Sequence, residues 1–573
     1  MKKYLSLVKL LFVQQYRIKP SGKKRKKGGT IALFVLLGLC FLPMLIGIFA
    51  AMYYLGQVSR GIADVGAVCA TLIILCQGVV FVFGIPALIS NVFTVKDADK
   101  LLFLPIRSAS IFASKLTVVY LNEIITTAVT VIVFLLPFGI GLGAGAGFYL
   151  LLIPALVLIP LLPMLLGCII AVPLSALITK FSNNGIFKTV MQTVLYVILM
   201  AAYIAGMYYL GFFGGSSGDI TGGADSGAIL LEKLQQMSKY IKYVHSNFTL
   251  AVAMTSASFG ALALNLVISV AENVFLFALV LLMAVPFYHR MLTVSVEGGG
   301  MGRRKKVNAD ELQVKNQGVV KELIFTDIKR VTRDSQMGFQ CIMSLIILPL
   351  MVGIFALAFG MSAEDEGSIL EILQVQPMYQ LIAPIVFVGY MSMLGMTSNV
   401  LGIYPISREN KSIYIIKSLP LSFSKYLFAK VLLATISMVI SNVITCLLIV
   451  ILFEVQWFYG ILMLVTMALL GFGTMCIMTL VDLKNPKLGW TNFNQSLKNA
   501  KNSWIAMLVG FLCMIALAVV VAPCAVGWAL TDGGWYMTMV MWLLIIGLSA
   551  GYAAVSYKVM ASRAQRYFEQ IEP

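Results

Sequence analysis

Apolar residues in this chain fall in long runs instead of the short alternations of a soluble domain. Twelve runs of about 20 residues or more carry few or no charges. They lie at roughly 30–54, 62–90, 116–140, 148–177, 192–213, 260–288, 338–361, 379–402, 431–453, 458–480, 504–530 and 536–556. A helix of that length crosses the hydrocarbon core and satisfies its own backbone where no water can. The pattern predicts an all-α polytopic membrane protein of twelve transmembrane helices. Two stretches outside the runs have amphipathic helical spacing. In MKKYLSLVKLLFVQQYRI the apolar positions are Leu5, Leu7, Val8, Leu11 and Phe12. At 319–335, VVKELIFTDIKRVTRDS aligns with it, Lys321 and Leu323 on Lys3 and Leu5. Each reads as a helix lying on a membrane surface just ahead of a span.

Composition agrees, at 60% hydrophobic and 12% charged residues, against roughly 45–50% and about 25% in soluble domains. The net charge of +18 would suggest nucleic acid in a soluble protein, but its distribution does not. With the N-terminus inside, 38 of the 42 Lys and Arg fall in inner segments, and only Arg60, Lys233, Lys239 and Lys242 fall outside. This is the positive-inside asymmetry. It predicts cytoplasmic N- and C-termini in a plasma membrane and no nucleic-acid partner. The run Lys23–Lys27 behind the first amphipathic helix is expected to hold an anionic inner leaflet.

Loops on the inner side repeat. Residues 100–116 read KLLFLPIRSASIFASKL and residues 415–431 read IIKSLPLSFSKYLFAKV. Leu104-Pro105 matches Leu419-Pro420 and Lys115 matches Lys430, both at an offset of 315. Proline is tolerated at a helix start, where its missing N–H has no partner to lose, so each stretch predicts a short helix running into the next span. A second inner loop, Thr179–Val190, has a weaker counterpart in Asp482–Ser503, through Lys180 with Gly185 and Lys484 with Gly489. Together these divide the chain into a cytoplasmic segment 1–29, a six-span unit 30–290, a basic linker 291–318 and a second six-span unit 319–573. Six spans per unit make the two repeats parallel, related by an axis along the membrane normal.

Candidate chemistry is sparse. Nine cysteines all lie in spans with no CxxC, and the two histidines, His245 and His289, fall on opposite sides, which excludes a histidine-based metal site. The glycines of 141–147 make a tight outer turn, not a phosphate cradle, since no strand precedes them. Four prolines, Pro154, Pro160, Pro163 and Pro173, predict a kinked fourth span. Acids inside spans are costly and point to function or to helix contacts. Only Glu123 and Glu272 qualify, and Asn122, Asn265 and Asn273 beside them complete a candidate translocation pathway. No paired aspartates, Ser/His arrangement or HExxH occurs near the membrane, which argues against an embedded enzyme.

The Leu-Pro…Lys loop between the second and third spans of a six-span unit resembles the intracellular loop of ABC-2 type export permeases. In that family a membrane-lying helix precedes the first span, coupling helices occupy the 2–3 and 4–5 loops, and short helices lie outside between spans 5 and 6. The first half matches at 3–16, 97–115, 179–190 and 227–244. The second half matches at 319–335, 404–430 and 482–503, and departs outside, where only Thr531–Trp535 separate the last two spans. The fused twelve-span form is similar to Ecs-like exporter permeases of Gram-positive bacteria. The resemblance implies a transport subunit, not an enzyme, that moves an amphipathic substrate such as a peptide or lipid. Two separate ABC ATPase subunits would dock per chain, on Leu104, Pro105, Phe112, Lys115, Leu419, Pro420, Phe423 and Lys430. The chain has no GxxxxGK[ST], so ATP and Mg would be bound by the partner and no cofactor by this chain. The alternative is a twelve-span secondary transporter driven by an ion gradient.

Overall fold

A computed structural model of the chain describes residues 2–16, 27–61, 64–89, 106–181, 185–209, 245–256, 258–299, 318–358, 379–418, 422–484, 486–490, 493, 497, 500–530 and 535–571. Regular structure among the described residues is entirely helical. Nine helices there are long and apolar enough to cross a membrane. Three shorter apolar helices, Leu45–Ser59, Thr189–Ala202 and Ala383–Ser398, fall on the expected first, fifth and eighth spans. Two compact units result, 1–14 with 39–304 and 15–38 with 305–573.

The first unit contains α1 (Lys2–Tyr16), α2 (Lys27–Ser59, from residue 39), α3 (Val65–Leu88) and α4 (Ser108–Thr130). A π-helical turn, Val131–Leu135, then carries the third span into α5 (Leu136–Leu142). Pro137 cannot donate to the carbonyl four residues back, and the wider turn just before it absorbs that loss. Gly143 ends the helix in the left-handed region at φ 73°, where a side chain would be strained. Within the expected 141–147 stretch the turn itself is Gly143–Gly145, between α5 and the next helix, and Arg60 Nε donates to the Gly141 carbonyl at 2.9 Å beside it.

The fourth span is broken, as its prolines predict, into α6 (Ala146–Leu158) and α7 (Leu161–Phe181), parted at Ile159-Pro160. After α8 (Gly185–Tyr209) comes α9 (His245–Thr255), which packs on α3 and on α10 (Phe259–Gly299). The outer amphipathic stretch 227–244 lies outside the described residues. The core of this unit gathers Leu72, Ile73, Phe138, Phe148, Ile159 and Leu250 from α3, α5, α6, α9 and the turn after α6.

The second unit opens with α11 (Val319–Arg333) and α12 (Ser335–Ala358), then α13 (Tyr379–Ser398) and the single turn α14 (Val400–Ile403). A 3-10 segment (Ser407–Ser412) and α15 (Ile413–Ser418) lead to α16 (Phe423–Leu452), α17 (Trp457–Lys484), α18 (Ala500–Leu530) and α19 (Trp535–Glu569). Methionine fills much of the core between these helices: Met391, Met396, Met463, Met467, Met475 and Met541 are all fully buried. Their unbranched side chains suit the irregular gaps between long crossing helices. The expected short helices after each Leu-Pro are continuous with their spans from Ser108 and Phe423 onward.

Candidate functional site

Leu104, Pro105, Leu419 and Pro420 lie outside the described residues, but the chain leading into and out of the second Leu-Pro is built tightly. After α13 the chain turns under Asn399, whose side chain accepts the Gly402 N–H at 3.2 Å and donates to the Ala434 carbonyl at 3.0 Å. The next stretch folds around Asp482 at the end of α17. Its carboxylate accepts the backbone N–H of Ile406 at 2.8 Å and of Ser407 at 2.7 Å, the Ser407 hydroxyl, and Asn502 Nδ2 at 2.9 Å. Trp490 Nε1 donates to the Ser407 carbonyl at 2.8 Å, and Tyr404 shares a hydrogen bond with Ser503 at 2.7 Å. The two inner loops expected at 404–430 and 482–503 are therefore stitched into one structure.

A buried ion cluster sits beside it. Arg408 donates to Asp327 Oδ2 at 2.7 Å and Lys430 to Oδ1 at 2.9 Å. Lys430 also pairs with Glu409, and Arg330 with Glu409. Asp327, Arg408, Glu409 and Lys430 are 4%, 1%, 3% and 5% exposed, so water does not solvate them. Burial alone would raise the Asp327 carboxyl, but the charges of Arg408, Lys430 and Arg330 hold it below the ordinary carboxylate value. The cluster binds α11, the 406–412 segment and the first turns of α16 into one body.

Of the residues expected to touch an ATPase, Lys430 is thus at the centre of this cluster, with its charge turned inward. Phe423 stacks on Phe568 at 3.6 Å between ring centroids, which docks the end of α19 against the start of α16. In the first unit Phe112 is fully buried and packs on Tyr288 at 5.2 Å, and Lys115 is also buried. These four side chains shape and anchor the ends of the loops from inside the fold. Nearby, Tyr4 and Thr117 share a hydrogen bond of 2.6 Å that ties α1 to α4.

The pathway residues divide. Glu123 is buried against Gly84, beside a void of about 10 Å3 lined by α3, α4 and α7, room for a water and no more. Asn122 and Asn265 donate to carbonyls of their own helices, Val118 and Ala261, at 2.8 Å each. Glu272 and Asn273 instead meet the start of α9. Glu272 pairs with His245 and is 3.5 Å from Thr249 Oγ1, and Asn273 donates to Ser246 Oγ at 2.9 Å. Glu272 lies thirteen residues along α10 from Phe259, about 20 Å at 1.5 Å per residue. His245, expected in an outer loop away from the spans, is therefore brought alongside a mid-span acid by the way α9 doubles back along α10.

Sequence reasoning missed the residue that ties this region to the broken fourth span. Pro163 has no N–H for the Ile159 carbonyl, and Gln77 Nε2 fills that place at 3.1 Å. Gln77 also exchanges two hydrogen bonds with Asn247, 2.9 and 2.7 Å. A lone glutamine within span 2 was the available signal, since an amide in hydrocarbon needs partners. Asp327, Arg408, Glu409 and Asp482 were missed as well. Asp327 could have been found on α11, where 320, 323, 324 and 331 are apolar and the acid occupies the same stripe. Among the described residues no cluster of His, Cys, Asp or Glu could hold a metal ion.

Helices long and apolar enough to cross a bilayer, lying on the expected runs, define a polytopic α-helical membrane protein. A family model described as "Membrane protein of 12 TMs" matches residues 44–553, and the chain belongs to that family. The match runs from within the first expected span to within the last, in agreement with twelve spans. No curated protein matches the chain.

Proposed function

We propose that this chain is the membrane-spanning permease subunit of an ATP-binding cassette exporter in a bacterial plasma membrane. In this reading both termini are cytoplasmic, and the chain moves an amphipathic peptide or lipid-like substrate. Two ATPase subunits, which bind the ATP and Mg, dock on the loops containing Leu104-Pro105 and Leu419-Pro420. The observation that carries the reading is the ion cluster of Asp327, Arg330, Arg408, Glu409 and Lys430. A motor acting on a loop moves helices only if the loop does not yield first. Here the residues on both sides of Leu419-Pro420 are locked to α11 and to the start of α16, so a push on the loop displaces a rigid body. Further support is the equal spacing of the two halves. α1 and α11 are each 15 residues long, and α4 and α16 begin 315 positions apart, at Ser108 and Phe423. The pair of Glu272 and His245 favours the second reading, an ion-driven transporter of twelve spans, because it brings a carboxylate and an imidazole together at mid-span.

Affinity purification of the tagged full chain in mild detergent, followed by mass spectrometry, separates the two. The ATPase reading expects a P-loop ATPase at two copies per chain, lost when Leu104-Pro105 and Leu419-Pro420 are both replaced. A chain that purifies alone and drives gradient-dependent uptake in vesicles without ATP overturns it.

A further inference from the structure

The way α11 is held leaves part of its apolar surface open. Leu323, Asp327 and Val331 lie on one face and turn inward, Leu323 and Val331 onto apolar clusters and Asp327 into the ion cluster. Rotation of the helix is thus fixed by an acid, and Val319, Phe325 and Ile328 are left 43%, 45% and 39% exposed. Beside them, a groove of about 470 Å3 runs between α11 and the start of α16. Its floor is apolar, from Val320, Ile324, Phe325 and Leu432. Lys321 and Lys425 also line it, no acid does, and neither lysine is ion-paired among the described residues. Lys321 Nζ stands 6.0 Å from the Phe325 ring centre, so charge and apolar surface adjoin.

We propose that this groove binds one anionic phospholipid, its phosphate between Lys321 and Lys425 and an acyl chain along Ile324, Phe325 and Leu432. The volume lies in the range of small-ligand sites, about 300–1,000 Å3. A free phosphate would leave the apolar floor wet, and an acidic soluble peptide would gain nothing from it. A phospholipid uses both halves of the groove. α11 leads directly into the apolar helix α12, and Lys425 and Leu432 lie in the first turns of the apolar helix α16. The groove therefore adjoins the start of a span, where an interfacial helix meets headgroups. The site is an open groove with its own lining residues, distinct from the general attraction of the N-terminal basic run for a charged leaflet. It holds for either transporter class.

The test uses the full chain, purified and exchanged into an equimolar mixture of phosphatidylglycerol and phosphatidylcholine, with bound lipid counted by native mass spectrometry. Wild type is expected to retain phosphatidylglycerol preferentially by roughly 10- to 30-fold, the size two basic residues give at an anionic surface. The K321Q/K425Q variant should lose that preference, and K321R/K425R should keep it. K329Q changes an exposed lysine on the same helix outside the groove and should also keep it. A preference unchanged in K321Q/K425Q overturns the proposal. So does a preference lost equally in K329Q, or displacement of the lipid by an equal concentration of glycerol phosphate.

Discussion

Replacing Asp327 by asparagine keeps the size of the side chain and removes one negative charge from a cluster of three cations and two anions. In the intact cluster Asp327 serves Arg408 at 2.7 Å and Lys430 at 2.9 Å. At about 4 Å between charge centres and an effective dielectric near 20, each pair gains about 4 kcal/mol. Removing each ion from water costs several kcal/mol, so the intact cluster comes out close to balance. Without Asp327 the burial cost of Arg408 and Lys430 remains and their main attraction is gone. The expected destabilisation is about 3–5 kcal/mol. Arg408→Met acts differently, because it removes one cation together with its burial cost and leaves two cations facing two anions. It should cost less than half as much. The assay is unfolding of the purified chain in mixed micelles of rising SDS fraction, followed by tryptophan fluorescence. A cost below about 1 kcal/mol for D327N, or an equal cost for R408M, would refute the electrostatic reasoning.

Gln77→Leu strips the Ile159 carbonyl and the Asn247 amide of their partner and should cost about 1–2 kcal/mol in the same assay. Adding Pro163→Ala restores an N–H four residues after Ile159 and should recover part of that loss; no recovery would mean Gln77 serves some other purpose. A methyl group at Gly141 would overlap the Tyr53 carbonyl oxygen, whereas one at Gly145 meets nothing within 4 Å. Gly141→Ala should therefore lower stability by about 1–3 kcal/mol and Gly145→Ala hardly at all, as read by thermal unfolding in detergent. Because the folded Asp327 carboxyl lies below its ordinary value, its stabilisation is complete above about pH 4 and is lost as pH falls through the lower folded value. The stability gap between wild type and D327N should therefore close as pH falls through that lower value.

Some of this was written in the chain itself. Runs of about 20 apolar residues leave the backbone no alternative to a spanning helix, so the long helices such as α10, α16 and α17 fall where the runs do. Pro160 and Pro163 dictated a broken fourth span because neither supplies an N–H. Gly143 ended the third for a reason equally local. The amphipathic pattern of 319–335 gave α11 its ends but not its orientation. Which face turned inward was decided by Asp327, whose partners Arg408 and Lys430 come from positions about 80 and 100 residues later, distances over which hydrophobic periodicity carries no information. Lys430 illustrates the limit. A lysine before an apolar run reads as a snorkelling boundary or a surface contact, and only two acids brought in from α11 and the 3-10 turn make it a buried ion. Glu272 was legible as an expensive charge, but its partner His245 was not, because the doubling back of α9 along α10 is a packing choice. Local sequence fixes what each segment must satisfy; tertiary structure selects which distant group satisfies it, because the energy of a buried charge depends on its partner's position and not on its neighbours in the chain.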